Sequence, residues 1–151
     1  MLHIETQLPV TRAVSAPPEA LCGLGPLYQP FPQLLGIEVI EAAPARVRAR
    51  LLVRPEFCRS GHMAHGGVMM ALADVAASVG AYLNLPEGAA TTTIESKTNF
   101  MGPASEGSTI EAEATPLHVG RRSSVWQTRI TREDGKLLAL IIQTQMVLEG
   151  E

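Results

Sequence analysis

The chain has 151 residues, 46% hydrophobic and 18% charged, enough for one core, too few for two ordinary domains, and unlike the composition of a disordered chain. A formal charge of −3 and only six aromatic residues argue against a general polyanion binder and against a base-stacking nucleic-acid surface. Two cysteines, Cys22 and Cys58, are too few for a disulfide scaffold and are expected as reduced thiols. The stretch from Met1 to Val14 has no apolar core of a secretory signal. The longest apolar run, Val68 to Leu83, is shorter than the roughly 20 residues of a membrane span and contains Asp74. The expectation is a soluble cytoplasmic protein with no nucleic-acid or membrane partner.

Six of the 11 prolines precede residue 33, so residues 1–33 read as an irregular arm with at most a short helix near Glu19 to Leu24. Residues 34–151 carry the folded texture. Leu35 to Ala42 reads as a strand, Pro44 breaks it, and Arg46 to Val53 alternates strictly, with Arg46, Arg48 and Arg50 on one face. A loop then leads to a helix over roughly Gly66 to Leu85, ended by Pro86 and Gly88. Four strand-like runs follow: Ala89 to Met101, Ser108 to Leu117, Arg122 to Arg132 and Lys136 to Leu148. Asp134-Gly135 is expected as a type I′ hairpin turn. Two strands, one long helix and four more strands predict an α+β fold with an antiparallel sheet of five to six strands.

The helix is apolar on every face, which predicts burial on all sides, as though a sheet wrapped it. Asp74 is its only charge, and a carboxylate in an apolar setting is costly unless partnered. Either it faces a crevice or pairs with Ser78, or it performs chemistry. His65-Gly66-Gly67 opens the same helix. Glycines there either pack tightly or bare N-terminal amides, which with the positive end of the helix dipole can hold a developing oxyanion.

The stretch His65-Gly-Gly-Val-Met-Met-Ala-Leu-Ala-Asp74, followed by Thr91-Thr-Thr-Ile-Glu-Ser-Lys-Thr-Asn-Phe-Met-Gly-Pro-Ala104, resembles hotdog-fold acyl-CoA thioesterases of the phenylacetate-pathway and 4-hydroxybenzoyl-CoA types. The resemblance covers about residues 34–149. It implies a long helix wrapped by an antiparallel sheet, sheets joined edge to edge in a homodimer or a dimer of dimers, and acyl-CoA lying across the subunit interface. It implies Asp74 as general base or nucleophile, and Gly66 with Gly67 as amide donors to the thioester oxygen. His65 would position the turn, and Thr93 would help place the carboxylate or the water, or be an ordinary strand threonine. Six residues before His65, several relatives carry Asn or Gln, whereas this chain has Arg59. Arg59 would polarise the carbonyl or grip a phosphate, or the role passes to His62.

Arg121-Arg122 follow a turn glycine and either meet the phosphates of CoA or lie on a solvated turn. Met70, beside Met69 and Leu72, lines an adaptable acyl pocket or belongs to the core. Cys58, His62 and His65 do not match zinc-ligand patterns, so no metal is expected, nor any cofactor. No Gly-x-Ser-x-Gly elbow occurs. The expected activity is hydrolysis of an acyl-CoA to a carboxylate and free CoA. The alternatives are a non-catalytic acyl-CoA binding or regulatory module and a structural dimerisation domain.

Overall fold

The structure, a computed structural model, describes residues 30–149; Cys22 and the expected helix near residues 19–24 lie outside them. Its elements are α1 (Pro30–Leu35), β1 (Glu38–Ala43), β2 (Arg46–Leu52), a 3-10 turn (Pro55–Phe57), β3 (Cys58–Arg59), β4 (Met63–Ala64), α2 (Gly66–Leu83), β5 (Ala90–Phe100), β6 (Thr109–Val119), β7 (Ser123–Arg132) and β8 (Leu137–Leu148). Six strands form one antiparallel sheet in the order β1-β2-β6-β7-β8-β5, and β3 and β4 make a separate two-stranded hairpin. Helix α2 touches all six strands of the large sheet. This is the α+β arrangement of a single long helix wrapped by an antiparallel sheet.

Three local expectations are corrected. Leu35 closes α1 instead of opening a strand. The Ile37 amide donates to the Pro32 carbonyl and the Gly36 amide to that of Gln33, while Gly36 takes φ +71°, a Schellman stop that only a residue tolerant of the left-handed region makes readily. The Asp134-Gly135 turn is not type I′. Gly135 alone has positive φ there, and its amide donates to Arg132, as in a type I turn followed by a glycine bulge. The helix ends at Leu83, where the Asn84 side chain donates to the Gly80 and Pro44 carbonyls and ties the last turn to the β1–β2 connection.

The core is aliphatic, as the composition requires: Val47, Ala49 and Leu51 of β2 and Ile110, Ala112 and Ala114 of β6 all face α2 and are buried. The single tryptophan, Trp126, is fully buried against Gly80, where an added Cβ would come within 2.4 Å of its ring. The arginines of β2 lie on the opposite face and are paired: Arg46 with Glu41 at 2.7 Å, Arg48 with Glu111 at 2.6 Å and Arg50 with Glu38 at 2.6 Å.

The expectation that α2 is buried on every side is overturned. Met69, Leu72, Ala73, Ala76, Ala77, Val79, Gly80 and Ala81 are buried, but Gly67 is exposed, and Met70, Ala71, Asp74, Val75, Ser78 and Tyr82 are only partly covered. Those positions recur every three to four residues and form one stripe. The sheet covers one side of the helix, and the stripe runs along the open side.

Candidate active site

Asp74 sits in the middle of this open stripe. The Thr93 hydroxyl donates to its Oδ1 at 2.7 Å, and the Gln143 side-chain amide donates to the same oxygen at 2.8 Å. Thr93 reaches inward because Ile94 forms a bulge: Thr93 pairs with Gln145 and Glu95 with Thr144, so the inward phase of β5 changes there. Gln145 donates from Nε2 to the Thr93 hydroxyl oxygen at 2.8 Å and, more distantly, to Ser78 at 3.4 Å. Both glutamines are fully buried. Among the described residues no cation forms an ion pair with Asp74. The carboxylate opens into a cleft of about 450 Å³, bounded by Val75, Ser78 and Tyr82 of α2, Thr91 of β5 and Phe31 of α1.

The start of α2 forms a second cleft, of about 690 Å³, lined by Arg59, His65, Gly66, Gly67, Met70 and Phe100 among others. His65 is the helix cap: its Nδ1 accepts from the Gly67 amide at 3.0 Å, and its carbonyl accepts from Val68. The Gly67 amide is therefore engaged. The Gly66 amide has no hydrogen-bond partner among the described residues, as the first-turn position of a helix leaves it. A Cβ at position 66 would lie 2.7 Å from Cζ of Phe100, so a side chain there would need the tip of that half-exposed ring to shift. Eight residues of helix, about 12 Å along the axis, separate Gly66 from Asp74. The two face different clefts of the same chain.

Of the other predicted residues, Arg59 and Met70 line the cleft at Gly66, but His62 does not. The His62 Nδ1 lies 2.7 Å from Glu106 Oε2 at the tip of the β3–β4 hairpin, with its backbone at φ 56°. Arg121 and Arg122 are exposed in the β6–β7 turn and line neither cleft described here. Cys58 is a free thiol whose pKa burial pushes up, with the Glu106 and Glu56 charges adding to the effect, so it is a poor nucleophile at neutral pH. Among the described residues no three His, Cys, Asp or Glu side chains converge as metal ligands.

Sequence reasoning missed Gln143, Gln145 and Phe100. The signal for the glutamines was present. In β8 the inward positions run Ile141, Gln143, Gln145, two polar residues where an apolar alternation should continue.

The family model described as the thioesterase superfamily matches residues 61–139. A candidate esterase of Deinococcus radiodurans is 33% identical over 132 residues, 87% of this chain and 86% of that protein. A 1,4-dihydroxy-2-naphthoyl-CoA hydrolase of Listeria monocytogenes is 29% identical over 108 residues, 72% of this chain and 87% of the other. Among solved structures, a thioesterase of Haemophilus influenzae superposes with a TM-score of 0.79 at 29% identity, covering 90% of this chain and 93% of its own.

Proposed function

This chain belongs to the thioesterase superfamily, and from that premise we propose that it hydrolyses acyl-CoA thioesters with Asp74 as the catalytic carboxylate. Water and R–CO–S–CoA give the carboxylate and free CoA. Acting as general base, Asp74 takes a proton from the attacking water, and the C–S bond breaks to release CoA; acting as nucleophile, it displaces CoA thiolate and forms a mixed anhydride, which water then opens to the free acid and the regenerated carboxylate. In either route the thioester oxygen gains charge, and the unpartnered Gly66 amide at the positive end of α2 is the donor that would hold it. Gly67, whose amide is engaged by His65, supports that turn. Arg59 and Met70, which share the Gly66 cleft, are proposed to meet the substrate, and Arg121 and Arg122 to meet the phosphates of CoA from outside it.

The observation that carries this reading is the carboxylate of Asp74, uncompensated by any cation among the described residues, open to a cleft and held by neighbouring donors. A CoA thioester is favoured because a relative matched over 87% of its own length is a CoA ester hydrolase by name.

The amide and the carboxylate open into separate clefts, so we propose that each working site is completed by a second copy, the Gly66 region of one chain meeting Asp74 of its partner. The exposed edge strand β5 supports this. It is 11 residues long, contains no proline and carries exposed Ile94 and Phe100, features that favour pairing with another edge. Residues 34–151 are proposed as the thioesterase domain and 1–33 as an arm, the two meeting within α1. A cytoplasmic location is proposed on the free Cys58 thiol.

The test is thiol release from a panel of short, long and aryl acyl-CoA esters by wild type, Asp74→Asn and Asp74→Ala. Loss of about 100-fold or more in kcat by the folded variants is expected, the scale of removing an acid–base group. A folded Asp74→Ala with full activity would sink the assignment. Thermal stabilisation by acyl-CoA with no thiol release would instead favour a binding module.

A further inference from the structure

We infer that Gln143, assisted by Gln145 acting through Thr93, is a positioning residue that presents Asp74 to the reaction through one oxygen, Oδ2. The inference rests on the reading of Asp74 as the catalytic carboxylate and adds which of its atoms reacts and what fixes it. Oδ1 receives two hydrogen bonds, from Thr93 at 2.7 Å and from Gln143 at 2.8 Å, whereas Oδ2 has no hydrogen-bond partner among the described residues. A carboxylate free to turn about its last torsion exchanges its two oxygens. Two donors converging on one oxygen hold that torsion and leave the other oxygen facing the cleft.

The direction of the chain of bonds follows from donor chemistry. An ionised carboxylate only accepts, so Gln143 must point its amide nitrogen at Asp74. Because Gln145 Nε2 donates to the Thr93 oxygen, the single hydroxyl hydrogen of Thr93 is left for Asp74. All the donors are neutral. A lysine or arginine would grip the carboxylate as firmly but would offset its charge, which a base or nucleophile uses.

A second observation shows that Gln143 is not ordinary packing. Its Oε1 is buried and has no hydrogen-bond partner among the described residues, and its backbone lies opposite Trp126 in the register of β7 with β8. A buried carbonyl left unpaired opposes folding, and an apolar side chain at this inward position would avoid it. What an apolar side chain could not supply is the N–H to Asp74.

The experiment uses the whole chain with acetyl-, hexanoyl-, decanoyl- and benzoyl-CoA as probes, continuing with the one of highest turnover. Gln143→Leu is expected to fold with a melting temperature at or above that of wild type and KM within about threefold, while kcat falls about 10- to 100-fold, as for a misplaced reacting group. Gln145→Leu is expected to lower kcat less. Combining Gln143→Leu with Thr93→Val should cost less than the product of the separate losses, because both act on the same oxygen. Should Gln143→Leu fail to fold, Gln143→Met, of similar length, is judged by the same criteria. Wild-type kcat in Gln143→Leu beside an inactive Asp74→Asn would overturn this inference alone. A raised KM with unchanged kcat would overturn it as well. Full activity in Asp74→Asn, or no hydrolysis of any probe by wild type, would remove the reading of Asp74 and this inference with it.

Discussion

Asp134 and Asp74 show how differently two carboxylates can be held. Asp134 lies on the surface of the β7–β8 turn, where hydrogen bonding to the Arg132 guanidinium, then to the Lys136 amide, lowers its pKa to about 2. Its folded value lies below the unfolded carboxylate value of about 4, so it contributes stability above that pH and loses it as the pH falls toward 2. Acid titrations of wild type and Asp134→Asn followed by circular dichroism should show wild type the more stable above about pH 5, with the gap closing between about pH 4 and 2. A gap that persists to pH 2 would contradict the assignment. Salt should shrink the effect, because the pair is exposed. Asp74 has no such cation among the described residues. Its partners are an amide and a hydroxyl, which orient a charge and leave it uncompensated.

Among the elements, α2 depends most on what its residues lack. Gly80 has no side chain because the Trp126 ring occupies that space, and the ring is fully buried and cannot swing aside. Gly80→Ala would gain up to about 1 kcal/mol in helix propensity. The overpacking penalty of about 1–3 kcal/mol should outweigh it, so a net loss is expected in denaturant titration. Gly66→Ala differs, because it meets the tip of a half-exposed Phe100 ring that has room to move.

The legibility of these elements followed the same division. Asp74 could be read from sequence because one charge interrupts an apolar helix, and His65-Gly66-Gly67 because glycines at a helix start are chemically conspicuous. Gln143 and Gln145 could not be read so directly. Their relation to Asp74 depends on the registers of β5, β8 and α2 across some 70 residues of chain, and the alternation of β8 is masked by a mostly apolar run, Leu137 to Ile142. The β3–β4 hairpin was missed because two-residue strands carry no periodicity. The open side of α2 was missed because apolar residues on every face do not reveal whether the chain itself or a second copy covers them.

For the whole molecule, the proposed completion of each site by a second copy would tie activity to assembly, because the Gly66 and Asp74 clefts are separate in one chain. Ile94 is the bulged residue of β5, half-exposed on the sheet's edge and adjacent to Thr93. Ile94→Asp is expected to shift the protein toward monomer in sedimentation velocity and to reduce thioester hydrolysis in parallel, since a like-charged pair of edges resists joining. A monomeric variant with full activity would contradict the shared site. The β2 arginines, each paired with a glutamate on the outer face of the sheet, play no part in this test.

The lone tryptophan gives the molecule an optical handle. Trp126 is enclosed between the sheet and Gly80, its indole N–H donates to the Ser124 hydroxyl at 3.0 Å, and its strand neighbour in β8 is Gln143. All indole emission from the chain therefore arises at the seam between helix and sheet, one strand away from the amide that holds Asp74. Its wavelength reports whether that seam is dry, and its intensity reports the polar groups beside it. Helix docking and the surroundings of the carboxylate can thus be followed in solution without attaching a dye.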